Sequence, residues 1–353
     1  MRKLGLTMGL AALLSLCIGC GQATVGLSPS IRDQAIVAKA TDGAYRLHIG
    51  PDNAEAPILS AIKGAQKTID LSVYLLSNER VIAALTEAAG RGIVTRVILE
   101  RNPFNPETPD EPLQTNRDSA TTLLKGGVRV GWSDPAFRFN HSKYMIVDGA
   151  EAFVSTGNFT NSGLTKNRDL IVQVHEPSDV KELVKIYEGD WTHVYHTTKD
   201  PNLVVSPYNS RTKLMGMIAK AKKSVRISME CFGDEYAIQD LIARSQKLDI
   251  QVLLAEPGRI SSNADTAKKL MTGKVKVRYQ IAPFLHAKTI QIDGQEVYIG
   301  SINLTKNSMD GNREIGLLVN DASINSQMDA LWKGDWGKAV EPSKYQPAPQ
   351  ENP

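Results

Sequence analysis

The sequence predicts an α/β protein built as two copies of one layered domain, and three observations predict it. Helix-like and strand-like segments alternate from Pro51 onward; the same order returns after residue 205; and the closing portions of the two copies align without a gap. At 353 residues, the chain is long enough for two domains of ordinary size. Its 42% hydrophobic and 22% charged residues exclude a disordered or collagen-like chain.

In the first copy, "NAEAPILSAIKGAQKT" sets Ile58, Leu59, Ile62 and Ala65 on one helical face, and "IDLSVYLL" reads as a short apolar strand. "NERVIAALTEAAGRG" repeats the helical spacing with Val81, Ile82, Leu85 and Ala89, and "VTRVILE" is strand again. In the second copy "RTKLMGMIAKAKKS", "VRISMECF", "EYAIQDLIARSQKL" and "IQVLLAE" give the same helix, strand, helix, strand. "HSKYMIVDGAEAFVSTGNFT" and "HAKTIQIDGQEVYIGSINLT" then run in register at an offset of 145 (286 minus 141). The register continues through Asn167-Arg168 and Asn312-Arg313 to Asp190-Trp191 and Asp335-Trp336. The first copy carries a proline-rich insertion, "RNPFNPETPDEP" (101–112), which breaks the symmetry.

Within the matched stretches, alternation along a strand places His141 and Lys143 side by side, and His286 and Lys288 likewise, with Asp148 and Asp293 five residues beyond each Lys. "STGNFT" and "GSINLT" offer a hydroxyl and an amide each, Thr156 with Asn158 and Ser301 with Asn303, donors suited to a phosphoryl oxygen. Asp169 and Glu314 open the following strands, where each can accept the ring proton of its own copy's histidine and fix the tautomer. Ser155 stands where the second copy has Gly300, still a small residue.

This doubled HxKxxxxD pattern with its Gly/Ser-x-Asn partner resembles the phospholipase D superfamily over roughly residues 45 to 336. The resemblance implies two phospholipase D-like domains, each a mixed β-sheet flanked by helices, related by a pseudo-twofold with the active site between them. It implies that His141 attacks phosphorus to give a phosphohistidine while His286 protonates the leaving alkoxide. Lys143, Lys288, Asn158 and Asn303 would hold the phosphoryl oxygens, Thr156 and Ser301 would add substrate contacts, and Asp169 and Glu314 would orient the histidines. Asp148 and Asp293 would hold local structure. No cofactor, no metal and no obligate protein partner are implied. The implied substrate is a phospholipid, whose phosphatidyl group is cleaved or transferred. The alternatives are an endonuclease of the same superfamily acting on nucleic acid, and a non-catalytic headgroup-binding protein.

The remaining segments set the expected location. "MRKLGLTMGLAALLSLCIGC" joins a basic start to an apolar run and resembles a bacterial lipoprotein signal, with Cys20 as the lipidation site. Lipidation would anchor the chain at a membrane of the cell envelope; without it the chain would be secreted. The expected organisation is a signal peptide at 1–20, a linker at 21–44, domains at 45–196 and 197–338, and a disordered tail at 339–353. Cys231 is then the one ordinary thiol left, read as a buried small hydrophobe. The formal charge of +3 falls to +1 once Arg2 and Lys3 are removed, too little for a global field that gathers nucleic acid. Local basic clusters occur at 220–226 and 268–278.

Overall fold

The computed structural model describes residues 43–347. The signal segment with Cys20, nearly all of the expected linker and residues 348–353 lie outside the described residues.

The first half runs β1 (Tyr45–Ile49), α1 (Glu55–Gly64), β2 (Thr68–Val73), α2 (Glu79–Gly90), β3 (Val94–Leu99), α3 (Thr115–Lys125), β4 (Arg129–Trp132), β5 (Lys143–Val147), β6 (Glu151–Ser155), α4 (Asn161–Thr165), β7 (Leu170–Val174) and α5 (Pro177–Thr192). The second half repeats it as β8 (Leu203–Ser206), α6 (Ser210–Lys220), β9 (Ser224–Met229), α7 (Glu235–Arg244), β10 (Asp249–Ala255), α8 (Ser262–Leu270), β11 (Lys276–Gln280), β12 (Lys288–Ile292), β13 (Glu296–Gly300), α9 (Lys306–Asp310), β14 (Glu314–Val319) and α10 (Ala322–Lys338). The two seven-stranded mixed sheets have equivalent orders, β1-β7-β6-β5-β2-β3-β4 and β8-β14-β13-β12-β9-β10-β11. Repetition extends to the caps. The Asn78 side chain accepts from Val81 N at 3.0 Å to start α2, and Asp234 accepts from Ala237 N at 3.0 Å to start α7.

Both central strands are buried on both faces, so their apolar runs are nearly continuous. In β5, Met145 and Val147 pack with α1, α2 and α3, whereas Tyr144 and Ile146 join a core shared with the other half. That shared core contains Val154 and Val172 from the first sheet, Ile299 and Leu317 from the second, and Leu183 and Trp332 from α5 and α10. At about 1.5–3 kcal/mol for each fully buried large aliphatic side chain, this face binds the halves into one body.

Polar clamps cross the same interface. Arg168 grips Asp335 of α10 through Nε at 2.8 Å and Nη2 at 3.0 Å, and Arg313 reaches Asp190 of α5 at 2.9 Å. The Arg of each repeated Asn-Arg pair and the Asp of each Asp-Trp pair are thus inter-half ties.

The expected disordered tail is corrected at its start. Val340 pairs with Tyr279 through N···O distances of 2.8 and 2.9 Å, and residues Pro342–Lys344 form a 3-10 turn. The Tyr345 ring packs edge-on against Tyr279, while its hydroxyl donates to Glu256 at 3.2 Å and accepts from Gly258 N at 3.0 Å. An aromatic anchor with both hydroxyl roles filled orders the stretch, and the flanking prolines, with φ already fixed, have little entropy to lose. Among the described residues, no helix is long and apolar enough to cross a membrane.

Candidate active site

The sheet register carries the motif residues to opposite ends of one strand. Lys143 opens β5 opposite Val73, the last residue of β2, and Lys288 opens β12 opposite Met229, the last of β9. Asp148 and Asp293 follow the far ends, roughly 16 Å away at about 3.3 Å per residue. There the Asp148 carboxylate accepts from the backbone N–H of Gln66, Lys67 and Thr68 at 2.9, 2.7 and 2.9 Å. Asp293 does the same for Lys222, Lys223 and Ser224. Both sit at positive φ, 56° and 53°, in tight turns completed by glycines. Burial opposes their ionisation, but these N–H donors prevail and lower both carboxyls.

At the other strand ends, the two halves exchange backbone. His141 N donates to Arg313 O at 2.8 Å and Arg313 N donates to Phe139 O at 2.8 Å. Symmetrically, His286 N donates to Arg168 O at 3.1 Å and Arg168 N to Phe284 O at 2.8 Å. Each short parallel bridge sets the acid after the arginine beside the other half's histidine. His141 Nδ1 lies 2.8 Å from Glu314 Oε2, and His286 Nδ1 lies 2.8 Å from Asp169 Oδ1. The expectation that each acid serves its own copy's histidine is therefore corrected: the pairing is crossed. Sequence spacing shows which residues repeat, not which copy they face.

A carboxylate only accepts, so Nδ1 carries the proton in both rings and Nε2 is left for chemistry. Side-chain exposures of 16% for His141 and 12% for His286 leave only a ring edge in the cleft. Burial lowers the His141 imidazole, with Lys143 and Lys288 adding to the effect against Glu314. Burial would raise the carboxyls of Asp169 and Glu314, but each is held low, chiefly by the histidine it faces.

Thr156 and Ser301, expected at the substrate, are fully buried with their hydroxyls engaged. Thr156 Oγ1 donates to Asp169 at 2.7 Å and accepts from Leu170 N at 2.9 Å, so it steadies the acid. Ser301 Oγ donates to Ile315 O at 3.3 Å and accepts from Ile315 N at 3.2 Å. Each opens a turn that packs under the acid-bearing strand, which is why its hydroxyl turns inward. Gly157 is needed there because a Cβ would collide with the Asp169 carboxylate.

Both lysines are buried and reach back to their histidine's carbonyl, Lys143 at 2.6 Å and Lys288 at 2.5 Å. Burial pulls the Lys143 ammonium down to about 7. Among the described residues no carboxylate lies within salt-bridge reach of Lys143, and the Asn158 side chain makes no hydrogen bond.

The second half differs through a residue the motif reading passed over. Glu230, just beyond β9, places Oε2 2.6 Å from Lys288 Nζ and Oε1 3.5 Å from His286 Nε2. Asn303 Nδ2 donates to it at 3.3 Å. Burial would raise its carboxyl, yet the charges of His286 and Lys288 hold it far below its usual range. Tyr74 holds the equivalent place in the first half, its ring 4.9 Å from that of His141 and 5.3 Å from Lys143 Nζ. Buried amides fix both positions. Asn116 Nδ2 donates to the carbonyls of Tyr74 and Glu100, and Asn263 Nδ2 donates to those of Glu230 and Ala255. The charged residue ending "VRISME" was the available signal, since a carboxylate at the end of a buried strand needs a partner.

Cys231, expected to be a buried hydrophobe, is half-buried beside Ser262, and burial pushes its thiol up. The 101–112 insertion borders the site, with Phe104 N donating to the Tyr74 hydroxyl at 2.7 Å.

A protein-family model described as "Cardiolipin synthase, PLD-like domain" matches residues 58–191 and again 214–336. The chain belongs to this phospholipase D-like family. It is 25% identical to a cardiolipin synthase A of Pseudomonas fluorescens over 338 residues, covering 85% of this chain and 70% of the relative. Over 156 residues it is 20% identical to the mitochondrial cardiolipin hydrolase of Danio rerio, covering 44% of this chain and 63% of the relative. The solved structure of the phosphatidylserine synthase of Haemophilus influenzae shares the fold, with a TM-score of 0.65, 13% identity and coverage of 84% and 87%. The polyphosphate kinase of Porphyromonas gingivalis also matches, at a TM-score of 0.64 and 16% identity, covering 88% of this chain and 53% of that one.

Proposed function

We propose that this chain is a phosphodiesterase of the phospholipase D type that cleaves or transfers the phosphatidyl group of phospholipids. The observation that carries the reading is the crossed pairing: two histidines on one cleft, each with its Nδ1 proton held by an acid of the other half. His141 Nε2 attacks phosphorus, and the bond to the headgroup oxygen breaks as His286 Nε2 gives that oxygen its proton. The alcohol leaves and a phosphatidyl-histidine remains. His286 then takes a proton from water, or from a second alcohol, whose oxygen displaces His141 and returns both rings to their starting states. Lys143 and Asn158 stabilise the equatorial oxygens in a buried setting where such donors count for most. Lys288 and Asn303 line the opposite side.

Phospholipid is favoured over nucleic acid by the names of the sequence relatives and by where Lys222, Lys223 and Lys276 of the two basic clusters lie. Lys222 and Lys223 adjoin the start of β9, and Lys276 is paired with Asp249 at the start of β10. These are the strand ends remote from Glu230, so they lay no cationic track into the cleft. The same reading attaches the enzyme to a membrane of the cell envelope through acylated Cys20, which loss of lipid labelling in Cys20→Ser would check.

The test is headgroup release from mixed phospholipid vesicles by the purified full-length protein without added metal. Activity abolished in His141→Ala and in His286→Ala is expected; wild-type rates in both would overturn the reading.

A further inference from the structure

The repeat makes two equivalent seats for an anion, and Glu230 makes them unequal. In the second half, all three groups that face a phosphoryl oxygen, Lys288 Nζ, Asn303 Nδ2 and His286 Nε2, already surround the Glu230 carboxylate at 2.6, 3.3 and 3.5 Å. In the first half, Lys143 and Asn158 have no such partner among the described residues, and the neutral Tyr74 stands in Glu230's place.

From this juxtaposition we infer that Glu230 assigns the two histidines their opposite roles: it closes the second seat to the phosphoryl group and favours a proton on His286 Nε2. This rests on the proposed function and deepens it.

Two consequences follow from electrostatics. A phosphodiester anion entering the cleft is repelled from the seat holding a carboxylate and settles against Lys143 and Asn158, within reach of unprotonated His141 Nε2. A carboxylate oxygen 3.5 Å from His286 Nε2 stabilises the imidazolium, and that proton is the one the departing alkoxide takes. Asn263 holds the Glu230 carbonyl at 2.7 Å and so keeps the carboxylate on this path. Glu230 thus acts through His286 and Lys288 as a positioning residue.

The experiment uses full-length wild type, Glu230→Gln and Glu230→Tyr with two probes, dioleoyl phosphatidylglycerol and dioleoyl phosphatidyl-p-nitrophenol. The glycerol alkoxide needs a proton to leave; nitrophenolate does not. General acid catalysis contributes about 10²–10⁴-fold, so weakening it in Glu230→Gln should raise the nitrophenyl-to-glycerol ratio of kcat/KM by roughly 10-fold or more. A merely structural lesion would depress both substrates alike and leave that ratio still. The second readout is the labelled histidine after quenching in alkaline detergent with radiolabelled lipid, because the P–N bond of a phosphohistidine survives base and is hydrolysed in acid. Label on His141 alone is expected in the wild type, and on both His141 and His286 in Glu230→Tyr, which reproduces the first half's arrangement. A ratio within about twofold of wild type together with label confined to His141 in both variants would overturn the inference while leaving the proposed function standing. No labelled histidine in the wild type would overturn the proposed function and the inference with it.

Discussion

Replacing Asp148 by Asn tests whether the last residue of the motif works on the fold or on the substrate. Asp148 receives three backbone N–H groups, two on Oδ1 from Lys67 and Thr68 and one on Oδ2 from Gln66. Asn keeps one acceptor oxygen, so two bonds survive as neutral ones and the third N–H faces an NH2 group. Charge-assisted bonds exceed neutral ones by about 1 kcal/mol each, and losing the third costs about another 1–2 kcal/mol. The total is about 3–4 kcal/mol, trimmed to about 2 kcal/mol because solvent reaches the turn. Urea unfolding followed by circular dichroism should show that loss at pH 7, with specific activity of the folded protein within about threefold of wild type. The difference should shrink below pH 4, because Asp148 titrates lower when folded than when unfolded and its stabilisation disappears as the carboxylate is protonated. Unchanged stability with activity down a hundredfold would refute this placement and put Asp148 at the substrate.

Thr156→Val keeps shape but strands the Leu170 N–H and leaves Asp169 Oδ1 held by His286 alone, so it should cost about 1–3 kcal/mol and lower kcat with KM nearly constant; a rise in KM alone would return Thr156 to the substrate. Arg313→Ala leaves Asp190 buried without its partner and should cost about 3–5 kcal/mol in urea, against no more than 1 kcal/mol if the clamp is incidental. Burial lifts the Asp179 carboxyl from 3.8 to about 6, so the folded state binds the extra proton and loses stability as pH rises through that interval. Asp179→Asn should therefore gain on wild type by up to about 3 kcal/mol between pH 4 and 7, whereas parallel stability curves would contradict this.

Much of the architecture was legible because repetition is visible without coordinates. The offset that matched His141 to His286 also matched Arg168 to Arg313 and Asp190 to Asp335, and all of these lie at the junction of the halves. What the offset cannot show is exchange across a pseudo-twofold: Asp169 and Glu314 repeat faithfully, yet each serves the other copy's histidine. Hydroxyl direction was equally hidden, since Thr156 and Ser301 belong to turns whose inward side is set by the strand packed beneath. Glu230 escaped because it lies outside the matched motif, at a position where the halves differ, and asymmetry leaves no mark in a search for likeness. Strand β1 and its counterpart β8 are short edge strands, five and four residues long, with too few positions to show a period. Tyr345 hid within a proline-rich ending whose composition masks one well-placed aromatic.

The central claim, that two motif copies make one site with divided labour, is tested most directly in His286→Ala presented with phosphatidyl-p-nitrophenol. Because this leaving group needs no acid, His141 should still attack, while the step that requires His286 to activate water stalls. The account predicts a burst of one nitrophenolate per chain, followed by near-complete arrest with the phosphatidyl group on His141. Steady turnover at the wild-type rate, or no burst at all, would contradict it.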